Sequence, residues 1–470
     1  MRLVSVTAAG ILLLTGAALL GCGGASPMIE TPTKPVTPVK TSVRGRAMGG
    51  QQPVTGMTLQ LYDAGSGGYG TAATGMLTGT LPTTDSNGNF SFANPTCPNQ
   101  DDQIYLVGTG GDPVAGNASN GNSTAVNPNL SLMVALGDCF GLSAEGSVYM
   151  NELTTVAAVW ALAPFMSGNT DAYQDIGTSS TNATGLQLAF EAAQEVANIS
   201  TGTFPGNLLP TNATLPLNQL NTIADILEAC INSKGGSEGD GTACGALFAD
   251  APSASGSVYP TDVITAAMNI AQNPARNVSE LLTIASATPA FEPEVSAAPS
   301  AWIVAIQYTN PQIHYPTAIA TDQWGYVWVT NAIANNEMFP LATTYNNLGS
   351  ITSGPSDPIQ AEQYGTTGVA IDLSGNAWFT TVTNHVVSLI PSGGLNTALI
   401  LSGNGLNDPT GIAIDGSGNF WVVNSGANSV SGFSSGGTPL PNSPFTGGGI
   451  ASPAGVAING NANANCADCD

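Results

Sequence analysis

Few residues in this chain combine a reactive type with a spacing that chemistry could use. Cys22 closes an apolar run, Leu3 to Leu20, that follows the single positive charge of Arg2. A charged start, an apolar stretch and a small-residue cut site make an export signal. The run of about 18 residues is also near the lower limit for spanning a bilayer, so an uncleaved anchor helix is the competing reading. Six further cysteines stand in neighbouring pairs: Cys97 with Cys139, Cys230 with Cys244, and Cys466 with Cys469. Disulfides persist in exported proteins, and the simplest pairing joins Cys97 to Cys139 and Cys230 to Cys244, although six cysteines allow other connectivities. Cys466-Ala467-Asp468-Cys469 has CxxC spacing, but a redox role needs a thioredoxin-like fold and a zinc site needs a second ligand pair. Neither is visible, so no metal and no cofactor is expected.

Two other patterns resemble catalytic or binding loops. Gly235-Gly236-Ser237-Glu238-Gly239 reads as GxSxG. A nucleophile elbow needs a strand before its serine, whereas a helical pattern precedes Ser237. The two histidines, His314 and His385, have no acidic residue within two positions. Asp85-Ser86-Asn87-Gly88-Asn89 looks like the start of a calcium loop but lacks the distal acidic ligand. A hairpin turn is the simpler reading, because Asn and Gly supply its left-handed backbone angles.

Charge excludes whole classes of partner. The chain of 470 residues holds 7 Lys and Arg against 31 Asp and Glu, a net charge of −24. Charged residues make up 8%, against about 25% in an average soluble domain. Arg2, Lys34, Lys40, Arg44 and Arg46 all precede residue 47, and no Lys or Arg follows Arg276. Nucleic acid and phosphorylated ligands are disfavoured because nothing could neutralise their phosphates.

The elements that must position these residues fall into successive regions. Residues 22–41 are rich in proline and threonine and read as an extended tether. Residues 42–145 alternate β-prone runs with Gly/Asn turns, the pattern of a β-sandwich. Residues 146–295 carry helical periodicity, as in Leu153, Val156, Ala157 and Trp160 behind a cap at Asn151. Asn277 with Glu280 has capping-box spacing. Residues 296–470 repeat: Pro316-Thr317-Ala318-Ile319-Ala320-Thr321-Asp322, Thr366-Thr367-Gly368-Val369-Ala370-Ile371-Asp372 and Pro409-Thr410-Gly411-Ile412-Ala413-Ile414-Asp415. Each is followed by a glycine and then Trp328, Trp378 or Trp421, and a fourth copy starts at Pro453. A period in the forties with short strands means propeller blades, with each aspartate and glycine making a hairpin and each tryptophan packing between blades. The fold class is thus multidomain: a sandwich, a helical region, and about three and a half blades. That is fewer than a closed ring needs, so the propeller reads as truncated unless segments such as Ala301 to Ile306 add to it.

Three resemblances extend this reading. Leu19-Leu20-Gly21-Cys22 resembles the bacterial lipobox, which implies removal of residues 1–21, a lipid on Cys22 and membrane attachment. Gly23 and Gly24 carry no acidic retention signal, which by resemblance to lipoprotein sorting implies the outer membrane or cell surface. Thr83-Thr84-Asp85 through Phe92 resembles the carboxypeptidase-regulatory-like, prealbumin-like sandwiches. The repeats resemble NHL-repeat and virginiamycin-B-lyase-like propellers, in which Asp322, Trp328, Asp372, Trp378, Asp415 and Trp421 would be structural. The expected function is a non-catalytic, envelope-anchored module that binds a protein or glycan, or a purely structural component. The alternative is a propeller lyase or lactonase acting on a cyclic ester. That family places histidines and acidic residues at its central channel, and its catalytic residues are not carried over onto His314 or His385, the two histidines here.

Overall fold

The computed structural model describes residues 42–458, apart from 94, 114–125, 144–146, 169, 286–288, 310–315, 324, 332–336, 345–346, 352–358, 361–364 and 393–398. Cys22, Cys466, Cys469 and His314 therefore lie outside the described residues.

Two sheets come first among the described residues. In the first, Ser42–Gly49 pairs antiparallel with Gln52–Pro53 and with Asn89–Ala93, and parallel with Val148–Met150. The second has the order Thr74–Gly75, Thr58–Asp63, Gln103–Thr109, Ser131–Asp138. Thr58–Asp63 alternates, burying Leu59 and Leu61, as a strand with one covered face should. Gln103–Thr109 and Ser131–Asp138 are buried on both faces. Helices explain this: α1 (Glu152–Leu162) and α2 (Ala183–Val196) lie on Ser131–Asp138.

Asn151 opens α1 with a capping box, accepting from Thr154 N–H while Thr154 Oγ1 accepts from Asn151 N–H. This helix is buried almost all round, not on one stripe, because α2, α3 (Leu217–Ile231) and α5 (Val263–Gln272) also enclose it. Between α3 and α5 runs α4 (Ala243–Asp250). The capping box expected at Asn277 does not form before α6 (Val278–Ile284). Asn277 takes a left-handed φ of 48° and its side chain donates to Asp250 O instead.

One hydrophobic core runs through sheets and helices, from Val43 to Trp302. Residues on either side of 145 share it, and the Ser42–Gly49 and Val148–Met150 pairing crosses that point. The stretch from Ala301 to Ile306 supplies core rather than a blade strand. Trp302 is fully buried, its carbonyl accepts from Trp160 Nε1–H at 3.1 Å, and Gln307–Tyr308 pairs with Ala213–Thr214.

Gly45 lies under the crossing strand. A Cβ there would stand 1.9 Å from Val148 O and 2.5 Å from the Phe90 ring. Backbone cannot yield as a side-chain tip can, so Gly45→Ala is expected to lose about 3 kcal/mol of stability. The check is the urea midpoint, with an unchanged midpoint refuting the contact.

The repeats form antiparallel blades. Blade one comprises Pro316–Thr321, Tyr326–Asn331, Glu337–Thr344 and Asn347–Ile351, with Ile359–Gln360 added on Glu337–Thr344. Blade two comprises Thr366–Ile371, Ala377–Thr381, Val386–Ile390 and Leu399–Leu401. Blade three comprises Pro409–Ile414, Phe420–Asn424, Ser429–Phe433 and Phe445–Thr446. Among the described residues no closed barrel forms, and no helix is long and apolar enough to cross a membrane.

Candidate functional site

The blades are built by two repeated devices, and both bear on what their loops can do. The first is the turn between a blade's first two strands. Asp372 Oδ1 accepts from the backbone N–H groups of Ser374 and Asn376, and Oδ2 accepts from Asn376 Nδ2 and Trp378 Nε1–H, all at 2.9 to 3.0 Å. Asp415 repeats each bond with Ser417, Asn419 and Trp421. Trp328 Nε1–H likewise donates to Asp322 Oδ2 at 3.1 Å. Gly375 and Gly418 sit at φ near 80° in these turns, which only glycine adopts without strain.

Burial works to raise the Asp372 and Asp415 carboxyls, but the four donors outweigh it and hold both below the ordinary aspartate range. The same turn recurs far upstream: Asp85 Oδ1 accepts from Asn87 and Asn89 N–H, and Oδ2 accepts from Asn89 Nδ2. Asp85 therefore spends its carboxylate on its own loop. Asp372→Ala would orphan the Trp378 indole N–H, on a side chain 1% exposed, at an expected cost of about 3 kcal/mol. Guanidinium unfolding followed by tryptophan fluorescence checks it, and Asp372→Asn, which keeps an acceptor, should lose less.

The second device joins blade to blade. In each blade the pairing of the first two strands shifts register at Thr317, Thr367 or Thr410. A bulged residue re-aims its side chain. Here Thr317 Oγ1 donates to Thr366 O, Thr367 Oγ1 to Pro409 O and Thr410 Oγ1 to Pro453 O, at 2.8 to 3.0 Å. The third bond places the start of the fourth repeat beside blade three. Aromatic packing follows the same order: the Trp328 ring meets Phe379 of blade two at 6.0 Å, and Trp378 meets Phe420 of blade three at 4.3 Å. Trp421 instead packs on Phe445 of its own blade.

His385 lies in the loop between the second and third strands of blade two. Its Nδ1 accepts from Asp408 N–H at 3.0 Å, with Asp408 Oδ1 3.3 Å away. Blade three repeats the arrangement without a histidine: Asn428 Oδ1 accepts from Ser452 N–H at 2.7 Å. All four residues, His385, Asp408, Asn428 and Ser452, have left-handed φ between 42° and 53°. The imidazole thus does an inter-blade job that an amide does one repeat later. While Nδ1 accepts from the backbone, the ring proton is on Nε2, so the neutral ring has no lone pair left for general-base work. Protonation would give Nδ1 a proton to donate to Asp408 Oδ1 at the expense of the backbone bond.

The remaining candidates are placed plainly. Cys97 is bonded to Cys139 and Cys230 to Cys244. Ser237 is exposed in the loop between α3 and α4, where its N–H donates to Asp240 Oδ2. No strand leads into it, so it is not an elbow. Among the described residues no three His, Cys, Asp or Glu side chains cluster as metal ligands. Sequence reasoning missed the bonded use of the aspartates, the threonine links and the buried Glu152. The i to i+6 spacing from each aspartate to its tryptophan and the repeated threonine were visible signals for the first two.

No family model and no curated protein matches the chain. Solved structures do. A catalytically inactive variant of virginiamycin B lyase from Staphylococcus aureus with quinupristin is 20% identical, with a TM-score of 0.25, covering 31% of this chain and 46% of that one. A streptogramin B lyase is 18% identical, TM-score 0.24, covering 32% and 48%. A candidate gluconolactonase is 14% identical, TM-score 0.24, covering 31% and 52%. The chain thus spans about half the length of these propeller proteins.

Proposed function

We propose that this chain is an exported lipoprotein, anchored through Cys22, whose blades and two-sheet unit act as a non-catalytic binding module for a protein or glycan at the outer membrane or cell surface. The two-sheet unit is read as a prealbumin-like sandwich and the repeats as NHL-like blades. The observation that carries the non-catalytic reading is His385. Its Nδ1 is committed to the backbone of Asp408, in a role that Asn428 fills in the next blade. The scarcity of basic residues, 7 in the chain against 31 acidic ones, points away from an anionic partner and towards one recognised by hydrogen bonds.

Two measurements test it. Mass spectrometry of the mature chain should find acyl groups on residue 22, and Cys22→Ser should abolish them and release the chain from membranes. The soluble chain should be retained on envelope fractions or a glycan array, and absence of any retention refutes a binding role.

The imidazole and carboxylate pair favours one second reading, a lyase or lactonase opening a cyclic ester. His385→Asn separates the two. An amide keeps the backbone link, so a binding module should be unaffected, whereas a lyase should lose turnover.

A further inference from the structure

Each blade presents one face to the blade before it and another to the blade after it. In blade two Val369 is 8% exposed and shares a buried cluster with Trp328 of blade one. In blade three Ile412 is 9% exposed and shares one with Trp378 of blade two. Ile319 holds the same position in blade one and is 69% exposed. Pro316 and Thr321 of its strand are exposed with it. The residues equivalent to Pro316, Thr366 and Pro409, are buried, and their carbonyls accept a threonine hydroxyl from the preceding blade. The exposed face of blade one is thus the same face that blades two and three each cover with a blade carrying an indole and a threonine.

The other end of the stack carries the matching indole. Trp421 is half-buried, where Trp328 and Trp378 are 6% and 1% exposed, and its ring meets Phe445, itself half-buried. The opening of the fourth repeat lies beside it, held by Thr410, but residues 453–458 pair with no strand. Val456, at the Ile319 position of that repeat, is half-buried. Pro316, Ile319, Thr321, Trp421, Phe445 and Val456 are all uncharged, so these residues bring none of the net charge of −24 to a contact between copies. Rings of four-stranded blades hold about four to eight. One copy forms three complete blades, and two copies form six. We propose that a second copy of this chain covers blade one. The Trp421 and Val456 end of each copy packs on the Ile319 face of the other, and two identical contacts close one ring about a twofold axis. Its central channel is then shared by both copies. The contact depends neither on a lipid at Cys22 nor on a bound partner.

Sedimentation velocity on the full chain, in a detergent matched to the solvent density, tests it. Twice the mass of one chain is expected at micromolar concentration. Ile319→Lys changes an exposed side chain and should leave folding intact while weakening the dimer at least about tenfold. Leu373→Lys is the control: that residue is 79% exposed in the turn after Asp372, and the dimer should be unchanged. A monomer, a dimer that Ile319→Lys leaves intact or that Leu373→Lys disrupts equally, or a series of higher masses overturns the proposal.

Discussion

Reducing the two disulfides should lower the melting temperature by more than about 10 °C, the largest single effect expected for this protein. Cys97 and Cys139 are 42 residues apart and Cys230 and Cys244 are 14 apart. Opening such loops restores denatured-state entropy worth about 4 and about 3 kcal/mol respectively. The sulfurs also belong to the core: Cys139 is 2% exposed, and Cys230 and Cys244 are fully buried. Cys97 is half-buried, so reductant should open the Cys97–Cys139 bridge first, whereas the Cys230–Cys244 bridge yields through partial unfolding, slowly at low temperature and quickly near the transition. Calorimetry with and without reductant measures it. Replacing Cys97 and Cys139 together by serine should cost more than replacing Cys230 and Cys244, because the longer loop regains more freedom. Equal melting temperatures in both redox states would show that the bridges constrain little.

The second large effect is a stability that falls from pH 4.5 to pH 8. Glu152 is fully buried, and its carboxyl is pushed up to about 8, first by burial and further by Glu228 and Asp225. Gly50 N–H donates to its Oε1, while Oε2 has no partner. Among the described residues no Lys or Arg is paired with any of these carboxyls. Asp225 and Glu195 are likewise pushed up to about 7, in each case by burial first.

The sign follows from which state holds the proton. Below the unfolded value of about 4.5, Glu152 is protonated in both states and its contribution is intact. Above it the unfolded chain gives up the proton while the native chain keeps it. Stability then falls by about 1.4 kcal/mol per pH unit until the native group ionises near 8, a loss of about 4–5 kcal/mol. Asp372 and Asp415 act in the opposite sense. Their carboxyls are held low, so their contribution is present above the unfolded aspartate value and is lost as pH falls through the native one. Together these place maximal stability on the acid side of neutrality, near the ordinary carboxylate range. Thermal melts from pH 4 to pH 9 should show the decline, and Glu152→Gln should flatten it while raising stability at pH 8. A flat profile in the native chain would remove Glu152 as its source.

Much of the local structure could be read from residue types and spacing. The aspartate turns are closed by bonds no more than six residues long, from Asp372 to Trp378, so composition alone specifies them. The Asn151 capping box spans three residues, and the bridged cysteines are sequence neighbours. Local spacing also misled at Asn277, where an asparagine again stands three residues before a side chain that could complete the box, Glu280, but the backbone turns left-handed and the side chain serves Asp250.

What the chain's order of residues determined by itself was the repeat, its turns and the acidic balance that disfavours polyanions; it offered the cysteine pairing only as the simplest of several, and the structure chose it. What only the tertiary structure decided was where polar groups end up relative to residues far away in sequence. Thr367 acts through a carbonyl 42 residues on, Gly50 through a glutamate 102 residues on, and Trp160 through Trp302. His385 has no acidic residue within two positions in the sequence, yet in space its neighbour is Asp408, 23 residues on. A hydrogen bond within one turn is set by a few dihedral angles. Burial and pairing between distant segments depend on the whole packed core, which no short window of sequence contains.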